Sequence, residues 1–306
     1  YLHRVNSMEE YLEECCKEVE DLTNAGKMEM AYKTIKHFLG ERKNKSCGIQ
    51  NEDGQLLYDQ KDVAGRWKRY LEALYGVEER ANEVSLENED EVDPEEEGES
   101  ILRDEFDRAL EQLKDKKSPG IDNLPAELLK NAGEKVHDEL YSLVCDIYNT
   151  GLLPEDFKKC VIVPLPKKAS AIKCEQHRTL SLVVHASKIL TSIILRRTEK
   201  KVESILTEDQ FGFRKGMGTR EAILNLRLVL EKRLLKGKDT LIAFVDLEKA
   251  FDRVDWSVLF RMLREVGVKY KDRRVMHSLY KDEMAVVRYG EHQEVAAIKK
   301  GVRQGC

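Results

Sequence analysis

Phe244-Val245-Asp246-Leu247-Glu248-Lys249-Ala250-Phe251-Asp252-Arg253-Val254-Asp255-Trp256 is the most informative run in the chain. Just ahead of Asp246, residues 240–245 read Thr-Leu-Ile-Ala-Phe-Val, a continuous run of strand length that predicts a buried strand ending in a carboxylate. A carboxylate at the end of a sheet can coordinate a hard divalent cation such as Mg²⁺ through oxygen. The same Asp could equally be a helix cap or a loop residue. Small Ala250 and bulky Phe251 would shape the wall of a pocket beside it. Asp255 reads as the cap of a helix running to Glu265, with Gly267 as its stop. Asp252 stays open between a structural role and a ligand role.

Working outward, residues 284–289 and 294–298 predict a β hairpin that turns near Gly290. Upstream, residues 220–235 predict one helix and residues 187–206 another. The second has an apolar front (Ile189, Leu190, Ile193, Ile194) and a basic back (Arg196, Arg197, Lys200, Lys201) that reads as a solvated face. Residues 160–166 form a short β run closed by prolines, with Lys167-Lys168 at its tip. Helices are expected over 124–130, over 136–149, and around Phe106, Ala109, Leu110 and Leu113, the last ending before the basic loop Lys116-Lys117-Ser118-Pro119-Gly120. Nearer the start, a helix over 61–75 presents Val63, Trp67, Tyr70, Leu71 and Leu74 inward. A hairpin precedes it, with Asp53-Gly54 supplying the positive φ angles of a tight turn. Residues 8–44 carry helical periodicity broken at 23–26, a helical hairpin. Strands and helices alternate irregularly, so the class is α+β.

The net charge of −5 over 306 residues would argue against a nucleic-acid partner if it were evenly spread. Between Glu78 and Glu99, however, there are twelve acids and one base, whereas Val161 to Cys306 carries a surplus of 12 positive charges. The acidic tract over 77–100 reads as a solvated linker between a helical extension over 1–76 and a basic region over 101–306. No apolar run approaches the roughly 18–20 residues that a membrane span needs, and no membrane partner is expected. Seven irregularly spaced cysteines suit reduced thiols better than a disulfide framework. Cys174 and His177 have the spacing of half a zinc site, but no second pair lies near them in sequence. The chain opens at Tyr1 without Met and stops at Cys306, and a fragment of a longer protein is expected.

The run around Asp246 resembles motif A of reverse transcriptases, Asp-x-x-x-Ala-Phe/Tyr-Asp, and five other stretches occur in that family's order. Lys117-Ser118-Pro119-Gly120-Ile121-Asp122 resembles the Lys-x-Pro-Gly-x-Asp motif of the fingers in non-LTR (LINE-type) retrotransposon polymerases. Residues 161–168 and 178–182 look like the next two fingers motifs. Gln210-Phe211-Gly212-Phe213-Arg214 matches the Gln-x-Gly-Phe-Arg signature, and Gly301-Val302-Arg303-Gln304-Gly305-Cys306 begins motif B, the Arg-Gln-Gly motif. Six motifs in order across 117–306 make a specific resemblance. Group II intron and retron polymerases share the motif order, but the Gln-Phe-Gly-Phe-Arg stretch and the N-terminal extension sit better with LINE-type elements. A decayed or co-opted copy that only binds nucleic acid or a protein partner is the alternative of another class.

The resemblance implies a right-hand polymerase with complete fingers and a partial palm, preceded by a mainly helical extension. It implies an RNA-directed DNA polymerase working on an RNA template, a DNA primer and deoxynucleoside triphosphates with two Mg²⁺ ions, in the nucleus and cytoplasm. Asp246 would be the catalytic carboxylate and metal ligand. Leu247 would lend its backbone to the triphosphate, and Phe251 would be the steric gate against a ribose 2′-hydroxyl. Arg178 and Lys168 would grip phosphates, with Lys167 not separable from Lys168 by spacing. Gln304 would touch the nucleotide or the template, and Arg214, Lys215 and Arg220 would meet template phosphates. The family also needs an Asp-Asp pair in its motif C, and none occurs in this sequence. The chain by itself is therefore expected to be inactive.

Overall fold

The computed structural model describes residues 16–28, 30–31, 48–76, 86 and 92–302. The chain divides into two compact units, Tyr1–Cys47 and Gly48–Cys306. In the first, residues 16–24 are helical and the chain turns at Ala25-Gly26, within the break read from the sequence. The remainder of the helical hairpin expected over 8–44 lies outside the described residues.

The second unit opens with a two-stranded hairpin, β1 (Ile49–Gln50) and β2 (Leu56–Leu57), with Ile49 opposite Leu57. The turn is wider than Asp-Gly alone suggested. The Asn51 amide donates to the Gln55 carbonyl at 2.8 Å, and within the turn only Gly54 takes a positive φ, +87°. Helix α1 (Gln60–Tyr75) follows, capped by Asp59, whose carboxylate accepts from the Lys61 amide at 2.9 Å. After the acidic tract come the short α2 (Pro94–Glu97), then α3 (Arg103–Glu111), α4 (Ala126–Lys130), α5 (Glu134–Thr150), β3 (Lys159–Pro166) and β4 (His177–Leu182). They lead into α6 (His185–Glu203), α7 (Thr219–Leu235), α8 (Trp256–Glu265), α9 (Tyr270–Tyr280), β5 (Met284–Tyr289) and β6 (His292–Ala297). β4 and α9 were not anticipated as elements.

The last four strands make a sheet in the order β4-β3-β5-β6. β3 runs antiparallel to β4, with Val161 opposite Leu182, and parallel to β5, with Lys159 opposite Met284. The β5 ladder stops at Ile162, two residues before Pro164. Beyond that point β3 has, among the described residues, no strand on its second side, and a residue without an amide hydrogen is tolerated there.

Two cores hold the unit together. Helix α1 lays Val63, Trp67, Tyr70, Leu71 and Tyr75 against one face of the sheet, where Cys160, Ile162, Ala285, Val287, Ala296 and Ile298 point. The spacing of the first set is helical and that of the second alternates, as expected for a helix on a pleated surface. The other core gathers Phe106, Ala109, Leu110, Val144, Ile147, Tyr148, Ile189, Leu190, Ile193 and Val275 from four helices. Residues 48–76 therefore share a core with the sheet, and the compact unit starts at Gly48 and not at 101.

Three further differences from the sequence reading have physical causes. Residues 240–247 form no strand: Leu241, Phe244 and Val245 are exposed, because this stretch meets no partner strand among the described residues. Helix α7 buries none of its side chains. The basic back of α6 is not simply solvated. Arg197 turns inward and forks onto Glu105, with Nε to Oε1 at 2.8 Å and Nη2 to Oε2 at 2.5 Å. Its Nη1 also donates to the Tyr148 hydroxyl at 2.9 Å, and that hydroxyl donates to Asp272 at 3.0 Å, so one guanidinium links α3, α5, α6 and α9. The end of the acidic tract docks as well. Glu97 pairs with Lys271 at 2.7 Å, and the Glu99 and Ser100 carbonyls accept from Arg197.

Truncating the central side chain of the α1 core, Trp67→Ala, should cost about 3–5 kcal/mol, read from denaturant midpoints. The Arg197 hydrogen bonds hold the Glu105 carboxyl below its ordinary 4.5, so that stabilisation is present above 4.5 and is lost as pH falls through the lower folded value. Burial shifts Asp272 the other way, upward, so it does not share this acid lability. Glu105→Gln is expected to lower the urea midpoint at neutral pH, and the gap from wild type should shrink below pH 4.5. A gap that stays constant into acid would contradict this assignment.

Candidate active site

A cleft of about 520 Å³ opens where the exposed end of β3, the start of β4, α1 and residues 246–252 meet. Arg178 and Thr179 come from β4, opposite Leu165 and Pro164 of β3, and the antiparallel register sets their place at its rim. Asp246, Leu247 and Phe251 line the cleft with them, so four residues singled out in two motifs, Arg178 in one and the other three in the second, converge. Of the Lys167-Lys168 pair, Lys167 lines the cleft, its Nζ also donating to the Glu175 carbonyl at 3.0 Å; Lys168 is not part of the lining. Tyr70, Leu74, His177, Lys249, Ala250 and Asp252 complete the wall.

The turn that carries Phe251 is tightly held. Residues 251–253 form one turn of 3₁₀ helix, and the buried Asp252 carboxylate accepts from the Tyr75 hydroxyl at 2.9 Å. The Gly301 amide donates to the Val254 carbonyl at 2.8 Å and the Val302 amide to the Phe251 carbonyl at 2.9 Å. The start of motif B is therefore bonded to the end of motif A. Only glycine suits position 301: its φ is +84°, and a Cβ would stand 2.8 Å from the Asp252 carbonyl oxygen. Two non-glycine residues near the cleft also take positive φ, Lys249 (54°) and Phe213 (62°). Such conformations carry strain and gather at functional sites.

Phe213 is the clearest residue that motif reading passed over. Its ring meets that of Phe251 edge-on, with centroids 5.6 Å apart, although the side chain is otherwise exposed. Lys249 is another: its ammonium lies 5.2 Å from the centre of the Tyr70 ring. Burial pushes the Tyr70 hydroxyl up to about 12, so it remains a neutral phenol at physiological pH. Neither contact has a signal in sequence spacing.

Other expected residues lie elsewhere. Arg214 is engaged: Nε donates to Glu203 at 2.9 Å and Nη1 to the Thr207 carbonyl at 2.9 Å, which folds the Gln-Phe-Gly-Phe-Arg loop against the end of α6. Lys215 and Arg220 are exposed and outside the cleft lining. Gln304 lies outside the described residues. Cys174 is buried, and His177 Nδ1 bonds the Lys173 carbonyl at 2.9 Å.

Residues 165–306 match the family described as reverse transcriptase (RNA-dependent DNA polymerase). That stretch takes in Arg178, Asp246, Leu247 and Phe251 of the cleft lining. The chain is 27% identical over 271 residues to a putative 115 kDa protein of the type-1 retrotransposable element R1DM of Drosophila melanogaster, covering 87% of this chain and 25% of the relative. It is 24% identical over 274 residues to a 149 kDa protein of transposon TX1 of Xenopus laevis, covering 87% and 21%. It is also 27% identical over 181 residues to the RNA-directed DNA polymerase of the mobile element jockey of Drosophila melanogaster, covering 58% and 19%. The chain thus spans about a fifth to a quarter of these relatives. Its likeness is to reverse transcriptases of non-LTR retrotransposons.

The cleft has a mixed charge. Lys167, Arg178 and Lys249 face Asp246, while Asp252 is already bonded to Tyr75. Among the described residues no three His, Cys, Asp or Glu side chains gather as a metal cage. Asp246 can offer a carboxylate to a cation, but the described residues do not make a two-ion site, and no step follows from ions here. No described helix is long and apolar enough to cross a membrane.

Gly301→Ala should destabilise the domain by about 2 kcal/mol or more, because both the backbone angle and the space oppose a methyl group. A thermal midpoint equal to that of wild type would contradict the close packing of motif B on motif A.

Proposed function

We propose that the cleft is the nucleotide site of an RNA-directed DNA polymerase of a non-LTR retrotransposon, with fingers and part of a palm in this chain. The observation that carries this reading is the convergence of Asp246, Leu247, Phe251, Arg178 and Lys167 on one cleft inside the family match. Arg178 can grip a phosphate with its planar fork, and Lys167, in place of Lys168, acts as a point charge beside it. The Leu247 backbone lies next to the triphosphate, and Phe251 closes the space that a ribose 2′-hydroxyl would need. Gln304, two positions along the sequence from the strapped Val302, is assigned to the nucleotide or the template.

Asp246 is the carboxylate that would hold Mg²⁺ at this site, where the ion polarises the phosphoryl group and the attacking hydroxyl when bound. Polymerisation needs companion carboxylates that the described residues do not bring to Asp246, so the chain alone is proposed to be inactive. Lys215 and Arg220, exposed beside a loop that Arg214 organises, are assigned to phosphates of the RNA template and DNA primer.

Two titrations of the purified chain test the reading. A fluorescent deoxynucleoside triphosphate should bind roughly tenfold or more weakly to Arg178→Ala, as loss of a charge-assisted hydrogen bond is worth about 1.5–3 kcal/mol. Affinity for an RNA–DNA hybrid should fall steeply with added salt. Triphosphate binding indifferent to Arg178→Ala, or hybrid affinity that is flat with salt, would sink the proposal.

A further inference from the structure

Helix α1 lies outside residues 165–306, yet it touches the cleft at three places. Tyr70 and Leu74 line it, and Tyr75 reaches Asp252. The contacts fall at both ends of the turn between Asp246 and Val254. Lys249 rests over the Tyr70 ring at 5.2 Å, and Asp252 accepts from the Tyr75 hydroxyl at 2.9 Å. Phe251, between them, projects half-exposed toward the cleft.

We infer that Tyr75 is a positioning residue for this site: through Asp252 its hydroxyl sets where the Phe251 ring stands, and with it the selection of deoxyribose over ribose. The inference rests on the cleft being the nucleotide site. Two kinds of attachment hold the turn. The backbone bonds from Gly301 and Val302 set its height, since they grip Val254 and Phe251 by their carbonyls. The Tyr75–Asp252 bond adds a side-chain contact at the residue next to Phe251, and Tyr75 is itself held, because its carbonyl accepts from the Lys299 amide at 3.2 Å. Both partners are buried, at 6% and 7% exposure, so water does not compete for the bond. Burial also raises the Tyr75 pKa, which keeps the proton on the donor at neutral pH. Tyr75 touches no substrate in this arrangement. It acts through Asp252 on Phe251, and a phenylalanine in its place would keep the packing and lose the hydroxyl's hydrogen bonds with Asp252 and Thr179.

The test uses the 306-residue chain labelled with fluorophenylalanine, the Phe251 resonance being assigned with Phe251→Leu. Tyr75→Phe should shift or broaden that resonance. It should also cut the preference for dATP over ATP about fivefold, while binding of inorganic tripolyphosphate, which reports only the phosphate grip, stays as in wild type. Asp252→Ala breaks the same bond from the other side and should move the resonance likewise, so one of the two variants suffices if the other does not fold. Asp252→Asn keeps an acceptor oxygen and should leave the resonance in place. An unmoved Phe251 resonance in folded Tyr75→Phe overturns the inference. So does a loss of tripolyphosphate binding equal to the loss of dATP binding, or an Asp252→Asn resonance displaced as far as that of Asp252→Ala. If the resonance moves as expected but the wild-type chain binds no triphosphate, the positioning contact stands and the nucleotide reading of the cleft fails.

Discussion

Lys159–Ile162 of β3 runs parallel to Met284–Val287 of β5, and parallel neighbours cannot be joined by a short turn. The chain has to leave the tip of β3 and travel through β4, α6, α7, residues 240–255, α8 and α9 before it returns beside its starting point. Everything assigned to chemistry lies on that excursion or at its ends. Arg178 follows the β3 tip, Asp246 and Phe251 lie midway, and Gly301 comes just after the hairpin that closes the sheet. Without the parallel pairing, Lys167 and Phe251 would be distant points on a long loop. With it, they face each other across a cleft.

The sheet can carry that pairing because α1 covers one of its faces. Trp67 and Leu71 sit over Ile162 and Val287, and the hairpin at 49–57 closes the edge of the same core. This burial supplies the hydrophobic stabilisation, and the contacts of Tyr70 and Tyr75 with the cleft follow from it at no further cost in ordering the helix. The other core is tied by a polar knot. Arg197, Glu105, Tyr148 and Asp272 satisfy one another at the centre of four helices, where an unpaired member would be expensive. The last residues of the acidic tract close over that knot, so the tract is in part structural: Glu97 pairs with Lys271, and the Glu95 and Glu99 backbone carbonyls accept from Lys269 and Arg197.

Much of this was legible in the sequence wherever a local rule applied. The helix at 60–75 follows its 63-67-71 stripe, the β5–β6 hairpin turns at Gly290, and Asp255 caps α8 as its position suggested. The motif residues were legible too, because their spacing along the chain is itself the signal. The strand at 240–245 shows the boundary of such reading. Its composition is that of a buried strand, but a strand exists only with a partner, and among the described residues it has none. Helix α9 and strand β4 escaped notice because charged and aromatic residues interrupt their apolar period, and long-range packing decides them.

The amino-acid sequence by itself determined the family resemblance, the order of the motifs and the identity of the groups that can do chemistry. These are properties of residue type and spacing along one dimension. Only the tertiary structure decided which lysine reaches the cleft, that Arg214 is bound to its own loop, that Phe213 meets Phe251, and that Tyr75 holds Asp252 from 177 residues away. Each of these depends on the direction of a side chain across a packed interface. Direction of that kind is set by strand register and helix rotation, which no local run of residues contains.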